Sequence, residues 1–268
     1  MKEQIGKLRV SVHKFSSCDG CQLALINATE SLVKLSKLVE IINFVEIGLI
    51  NPAKEADIAI IEGSISTPEE VERIHKIRSI TKFLLPVGAC ATAGGVQALR
   101  NFNNVSSWIR DIYEKPSAIN ILDTSTSIAR NVQVDLELWG CPVDSYQLFS
   151  VMRSLLWGVI PRVSRDSLCL DCKRQGYVCV LVAKDMPCMG SVTQTGCGVL
   201  CPKLGRDCYE CFGPKENANS ASLGKRFASL GLSEDEVAQR FLSINNGASS
   251  FQDTGKFFKN KAKSAFVD

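Results

Sequence analysis

Two patterns of apolar and polar positions divide the chain. In the first, short apolar runs alternate with amphipathic stretches. Residues 8–12 (LRVSV) read as a strand, residues 57–61 (DIAII) as a strand buried on both faces, and residues 82–87 (KFLLPV) as another. Between the last two, PEEVERIHKIRS predicts a helix opening at Pro68, with Thr67 as N-cap and acidic residues in the first turn, where the helix dipole favours them. Further helices are predicted over residues 19–35, 92–100 and 144–156, and a further strand over residues 134–139. Strands and helices in alternation predict an α/β fold: a flavodoxin-like, doubly wound parallel sheet covered by helices on both faces.

The second pattern has little periodicity. From Cys169 the chain reads CLDCKRQGYVCVLVAKDMPCMGSVTQTGCGVLCPKLGRDCYEC, with several glycines and few long apolar runs. A segment with so small a core needs a metal to hold it together. The change of pattern sets the predicted boundary: an α/β domain over residues 1–160, then a cysteine-rich, mostly irregular domain with a tail over residues 161–268. Within the tail, Ser233 and Glu236 have the spacing of a capping box and predict a short helix through Leu242. The basic end FQDTGKFFKNKAKSAFVD reads as solvated, with packing on the domain or on a partner as the alternative.

Charge and composition change this picture little, but cysteine changes it greatly. A net charge of +3 without a Lys/Arg-dense run argues against a nucleic-acid partner. The opening MKEQIGKLRVSV has no apolar h-region or cleavage site, and no apolar run reaches the ~18 residues of a membrane span, which predicts a soluble, cytoplasmic protein. Twelve cysteines among 268 residues are then anomalous, because disulfides are rare in a reducing cytosol and cysteine-rich cytosolic chains more often bind metal.

Cys18 and Cys21 follow the first predicted strand, Cys90 follows KFLLPVG and Cys141 follows VDLELWG. In an open α/β sheet the carboxyl ends of the strands share one edge, where ligands bind, so these four thiols are brought to one place. A four-thiolate cage suits iron–sulfur or zinc. A lone cysteine is more often a small buried hydrophobe, and the CxxC pair also fits a thioredoxin-like redox motif, but neither accounts for all four placements. In the second half the spacings are CxxC (Cys169, Cys172), CxxxCP (Cys197, Cys201, Pro202) and CxxC (Cys208, Cys211), with Cys179 and Cys188 standing alone. The CxxxCP element repeats the tail of the bacterial ferredoxin run and favours iron–sulfur over two zinc sites, which would also use eight cysteines.

Several motifs in order, SSCDGCQLAL, IEGSIST from Ile61, VGACATAGGV from Val87, WGCPVD from Trp139 and the cysteine tract, resemble the small, electron-transferring subunit of nickel–iron hydrogenases. The likeness covers roughly residues 8–214 and is greatest to the cytoplasmic branch, which includes archaeal sulfhydrogenases. It implies that Cys18, Cys21, Cys90 and Cys141 hold a proximal 4Fe–4S cluster. Cys169 stands where the family usually has histidine and, with Cys172, Cys179 and Cys188, implies a distal cluster. Cys197, Cys201, Cys208 and Cys211 match the medial site, with Cys201 at a place where many relatives carry proline. Three 4Fe–4S clusters follow, with no catalysis by this chain alone. The implied partners are a nickel–iron large subunit and flavin and iron–sulfur subunits serving NADP or polysulfide. A related reading is the cluster-bearing subunit of complex I or of a quinone- or deazaflavin-linked enzyme; the complex I subunit usually has adjacent cysteines in the first motif, which SSCDGCQ lacks.

Glu62 follows a strongly apolar strand at the same edge. It is either a neighbour of the proximal site or a carboxylate capping the turn at Gly63 and Ser64. His75, in a charged helix, reads as solvated, and His13 as packing or interface; neither has ligand spacing.

Overall fold

The computed structural model describes residues 7–264. The first six residues, part of the segment read for an export signal, and the last four of the tail lie outside it. Strand β1 (Arg9–Lys14), helices α1 (Gly20–Asn27) and α2 (Thr29–Leu38), strands β2 (Glu40–Phe44) and β3 (Ala56–Glu62), helix α3 (Pro68–Ser79) and strand β4 (Thr81–Val87) follow in turn. The strands form a parallel sheet in the order β2-β1-β3-β4, the flavodoxin-like winding expected, with its topological switch between β1 and β3. Alternation along β1 sends Val10 and Val12 to one face with Ile58, Ile60, Leu85 and Val87. The opposite face carries Ala59, Ile61 and Leu84. The first face is covered by Leu25 of α1 and by Leu148, Val151 and Met152 of a later helix; the second by Ile74 and Ile77 of α3.

Helix α3 starts where the sequence predicts, with a full capping box: Glu70 N–H donates to Thr67 Oγ1 at 3.2 Å and Thr67 N–H to Glu70 Oε2 at 3.2 Å. Three expectations are corrected. The helix expected over residues 19–35 is two helices, broken at Ala28. That expected over residues 92–100 is the short helix α4 (Gly88–Ala93) followed by a 3-10 turn, because Gly94 and Gly95 take positive φ of 84° and 61° and end the α-helix. Residues 134–139 run beside β4 without becoming a strand. Leu84 N–H donates to the Asp135 side chain at 2.7 Å, and Pro86 has no N–H to give, so only a bridge between Val87 and Leu138 forms.

Helices α5 (Val105–Ile112) and α6 (Ser145–Leu156, N-capped by Asp144) complete the α/β half. The cysteine tract contains α7 (Leu168–Arg174), α8 (Val180–Ala183), a 3-10 turn (Met189–Ser191) and α9 (Leu200–Lys203). Behind it stand α10 (Ser220–Ser229), α11 (Glu234–Phe241, capped by Ser233 and Glu236 as expected) and α12 (Ser249–Ser264). The tail is therefore not solvated as far as residue 264. Phe251 and Phe258 of α12 are buried in one apolar cluster with Phe227, Val237, Phe241, Leu168, Val180 and Met189, so the tract has a core of its own backing. Among the described residues no helix is long and apolar enough to cross a membrane.

Candidate metal centres

The sheet delivers its strand ends level with one another: Lys14 pairs with Glu62, Glu62 with Val87, and Val87 bridges Leu138. The segments that leave this edge carry the four thiols, Cys18 and Cys141 in turns, Cys21 in the first turn of α1 and Cys90 in α4. Burial pushes the Cys21 thiol up and that of Cys90 up to about 12, and the neighbouring thiols add to both shifts: Cys90 and Cys141 act on Cys21, Cys141 and Cys18 on Cys90. Cys141 is raised by burial and by Cys18. Cys21, Cys90 and Cys141, whose ionisation burial and neighbouring thiols oppose, become stable thiolates only beside a strong positive charge, which bound iron would supply.

The backbone around them leaves room for such a group. A Cβ on Gly88, whose φ is +83°, would stand 2.3 Å from Cys21 Sγ, and one on Gly95 2.6 Å from Cys90 Sγ. The Val143 N–H donates to Cys21 Sγ at 3.4 Å. Glu62, buried at 2% exposure, accepts from Cys21 N–H through Oε1 at 3.0 Å and from Gln22 Nε2 through Oε2 at 2.8 Å. It therefore fixes the start of α1 beside the thiols rather than the turn after β3, where Ser64 N–H goes to Ser16 O. Its pKa is raised by burial, against the pull of those hydrogen bonds. His13 is buried on the α3 side of the sheet, its pKa lowered to about 4 by burial and then by Arg73, and His75 is exposed.

The eight later cysteines fall into two neighbourhoods. Cys169, raised to about 11 chiefly by burial, is affected by Cys188, Cys179 and Cys172, and Cys172 by Cys188 and Cys179. Cys211, raised to about 12 by burial, is affected by Cys197 and Cys201, and buried Cys208 by Cys188 and then by Cys211. The groups are linked, since Cys188 acts on both Cys208 and Cys201. Cys141 acts on Cys211, and Cys208 N–H donates to Cys188 Sγ at 3.3 Å. The thiols thus run as a row from the sheet edge through Cys211, then Cys201 and Cys208, to Cys188 and on to Cys169, Cys172 and Cys179.

Sequence reasoning passed over Glu210, inside the CYEC turn. It is fully buried, with φ +62°. Its Oε1 accepts from the N–H groups of Ile244 and Asn245 at 2.8 and 3.0 Å, and its carbonyl accepts from Asn245 Nδ2 at 2.8 Å. Oε2 has no hydrogen-bond partner, and burial pushes the carboxyl up to about 8. A carboxylate inside a CxxC turn was the available signal, but its partners lie 35 residues away.

Among the described residues no three His, Cys, Asp or Glu side chains converge on one ion-sized point. The donors are instead twelve thiols, four at the sheet edge and eight in the tract, with Gly88 and Gly95 letting the backbone approach sulfur and the N–H groups of Val143 and Cys208 directed at it. These fit iron–sulfur clusters.

A parallel α/β sheet with four thiols at its switch edge, followed by a tract carrying eight more, defines the class of iron–sulfur electron-transfer subunits. The family described as "NADH ubiquinone oxidoreductase, 20 Kd subunit" matches residues 18–155, more than half of the chain, and the chain belongs to it. The chain is similar to sulfhydrogenase 2 subunit delta of Pyrococcus furiosus, 29% identical over 233 residues that cover 87% of this chain and 97% of the relative. It is also similar to the delta subunit of the NAD-reducing hydrogenase of Cupriavidus necator, 27% identical over 57% of this chain and 80% of that subunit. Among solved structures, a chain of an NAD+-reducing [NiFe]-hydrogenase in the hydrogen-reduced state aligns at TM-score 0.53 and 27% identity, over 59% of this chain and 95% of that one. A chain of the actinobacterial-type NiFe-hydrogenase of Ralstonia eutropha shares the fold over 99% of this chain and 92% of its own, at TM-score 0.58 and 14% identity.

Proposed function

We propose that this chain is the electron-transfer small subunit of a soluble, cytoplasmic nickel–iron hydrogenase of the sulfhydrogenase type. In this reading Cys18, Cys21, Cys90 and Cys141 hold a proximal 4Fe–4S cluster within residues 1–160. Residues 161–268 hold a medial one on Cys197, Cys201, Cys208 and Cys211 and a distal one on Cys169, Cys172, Cys179 and Cys188. The clusters, when bound, supply reversible one-electron chemistry. The partners are a nickel–iron large subunit at the proximal end and flavin and iron–sulfur subunits serving NADP at the distal end.

The observation that carries the reading is the exposure of the thiols along the row. Cys18 and Cys141 at one end and Cys179 at the other are exposed, whereas none of Cys197, Cys201, Cys208 and Cys211 is. A relay needs access at its two ends and insulation between them. The residues of the chain tune it further. The N–H groups of Val143 and Cys208 place partial positive charge on Cys21 and Cys188, which favours the reduced state of a sulfur-ligated centre.

A quinone-linked subunit of complex I type is the second reading, favoured by the description of the family. The test is anaerobic purification with iron analysis, then dye reduction under hydrogen. Three filled cubanes give about twelve iron atoms per chain, and hydrogen-dependent dye reduction appears only when a nickel–iron large subunit is added. Quinone reduction without hydrogen uptake would favour the second reading, and a colourless zinc protein would remove both.

A further inference from the structure

The two ends of the row differ in charge. At the proximal end Lys14 is paired with both Asp19 and Glu46. At the distal end the turn around exposed Cys179 carries Val178 and Val182, 68% and 76% exposed, and the neighbouring turn carries Leu200 and Leu204, 60% and 69% exposed. The two turns lie side by side: Lys184 Nζ is 3.2 Å from where a Cβ on Gly205 would stand, and Cys201 is affected by both Arg206 and Cys188. Around these apolar side chains Lys173, Lys184, Lys203 and Arg206 are exposed, and among the described residues none has a carboxylate within ion-pair distance. The acids nearby are already engaged: Asp171 with Arg174, Asp185 with Arg226, and buried Asp207 with Arg240.

We propose that this basic-rimmed apolar face around Cys179 is the docking site for an acidic iron–sulfur electron-carrier protein, which binds through carboxylates around its own centre. The inference rests on the electron-transfer reading above and adds the partner's chemistry. Apolar side chains at the centre exclude water between the two centres, and unpaired cations at the rim steer a negatively charged partner into register. In each encounter one electron leaves the centre held by Cys169, Cys172, Cys179 and Cys188 and reduces one oxidised centre of the carrier. The proximal mouth, with its lysine neutralised, has no such bias, which gives the row a direction for acidic partners.

The test uses the full chain, purified anaerobically and reduced with dithionite, and a small acidic two-cluster ferredoxin as probe. Binding is followed by calorimetry with the gallium-substituted probe, and electron transfer by stopped flow with the native one. Between low and about 0.3 M ionic strength the second-order rate should fall at least about tenfold, as steered associations do. The variant Lys184→Glu/Lys203→Glu/Arg206→Glu should lose at least about tenfold in binding and rate at low salt, while the charge-conserving Lys184→Arg/Lys203→Arg/Arg206→Lys should keep both. Iron content equal to the parent's shows that each variant is folded. Salt-independent binding, or equal binding by parent and charge-reversed variant, would overturn the proposal. So would a charge reversal that abolishes binding to phosphatidylserine vesicles and leaves ferredoxin binding intact, because the face would then meet a membrane surface. A chain without iron would remove the electron-transfer reading, while charge-dependent binding of the gallium probe would still decide the docking face.

Discussion

The α/β half holds four thiols and the cysteine tract eight, and the two regions hold them by opposite means. In the α/β half the four cysteines sit on segments leaving a sheet whose cores, Ile58, Ile60 and Leu85 on one face and Ile61, Ile74 and Leu84 on the other, include only one of them, Cys21. In the tract Cys188 and Cys208 are themselves members of the core, and the helices α7, α8 and α9 have seven, four and four residues, too short to stand alone. The tract also turns on Val199 and Glu210, both fully buried at φ of 63° and 62°, which non-glycine residues adopt only when their surroundings compel it. One half is a frame to which a metal group is attached; in the other, the metal group is part of the frame. The largest test is therefore removal of iron by chelation under oxidising conditions. Amides of residues 165–215 should lose protection from hydrogen exchange, while those of β1, β3 and β4 keep it; equal loss in both halves would show a single metal-dependent unit.

The next effect contrasts two glycines. Gly88→Ala puts a methyl 2.3 Å from Cys21 Sγ at a φ of +83°, so it should cost about 1–2 kcal/mol in backbone strain alone and displace the thiol as well. Iron should fall by about four atoms per chain. Gly190→Ala in the tract places its methyl 3.5 Å from the sulfurs of both Cys169 and Cys188, ordinary contact without positive φ, and should leave the iron content unchanged. Equal iron loss in the two variants would mean that the tract is as tightly fitted around its group as the sheet edge.

What the sequence made legible follows the same division. The buried strands, the Thr67 N-cap, the Ser233 capping box and the gathering of Cys18, Cys21, Cys90 and Cys141 at one edge are consequences of local pattern and of sheet topology, and both can be read from spacing. Strand β2 escaped because EIINF mixes polar and apolar positions: Glu40 is exposed, and buried Asn43 donates to Val12 O at 2.6 Å and accepts from Asn51 N–H at 3.0 Å. Helix α12 escaped because its charged residues masked the apolar spacing of Phe251, Gly255, Phe258 and Ala262. Gly255, which reads as a helix breaker, is where Leu242 packs closely, since a Cβ there would lie 2.4 Å from Leu242 Cγ. Glu210 was invisible because its role depends on backbone groups reached only after α10 and α11 have folded back.

Glu210 gives the third test, on the side of the tract. Glu210→Ala leaves the N–H groups of Ile244 and Asn245 buried without an acceptor and should cost about 4 kcal/mol, read as loss of protection in α11 and α12. Glu210→Gln keeps an oxygen for both donors and should cost about 1 kcal/mol or less, because the oxygen it replaces has no partner.

On the side of the sheet the corresponding weak point is acid. Both histidines lie in the α/β half, and buried His13 has its pKa lowered from 6.5 to about 4. The unfolded chain therefore binds the proton more readily, and stability present above pH 6.5 is lost as the pH falls toward 4, by about 3 kcal/mol at the most. His13→Gln should flatten the pH dependence of β1 protection across this window. An unchanged slope would assign the acid loss to other groups.

The smallest effect compares the two capping boxes, one in each half. Thr67→Ala and Ser233→Ala should each cost about 1 kcal/mol, the usual worth of an N-cap side chain. Their glutamates should part company. Glu236 serves only Ser233, through its N–H and Oγ, both at 2.8 Å. Glu70 also accepts from Ser66 N–H at 2.7 Å and from Ser16 Oγ at 3.0 Å, and so ties the exit of β1 to α3, two residues ahead of Cys18. Glu70→Ala should therefore raise the exchange of residues 16–18 as well as that of the first turn of α3, whereas Glu236→Ala should raise that of the first turn of α11 alone. Exchange confined to α3 in Glu70→Ala would mean that the turn bearing Cys18 is held by its backbone bonds to Glu62 and Ser64, and that the sheet presents its first thiols without help from the helix beside them.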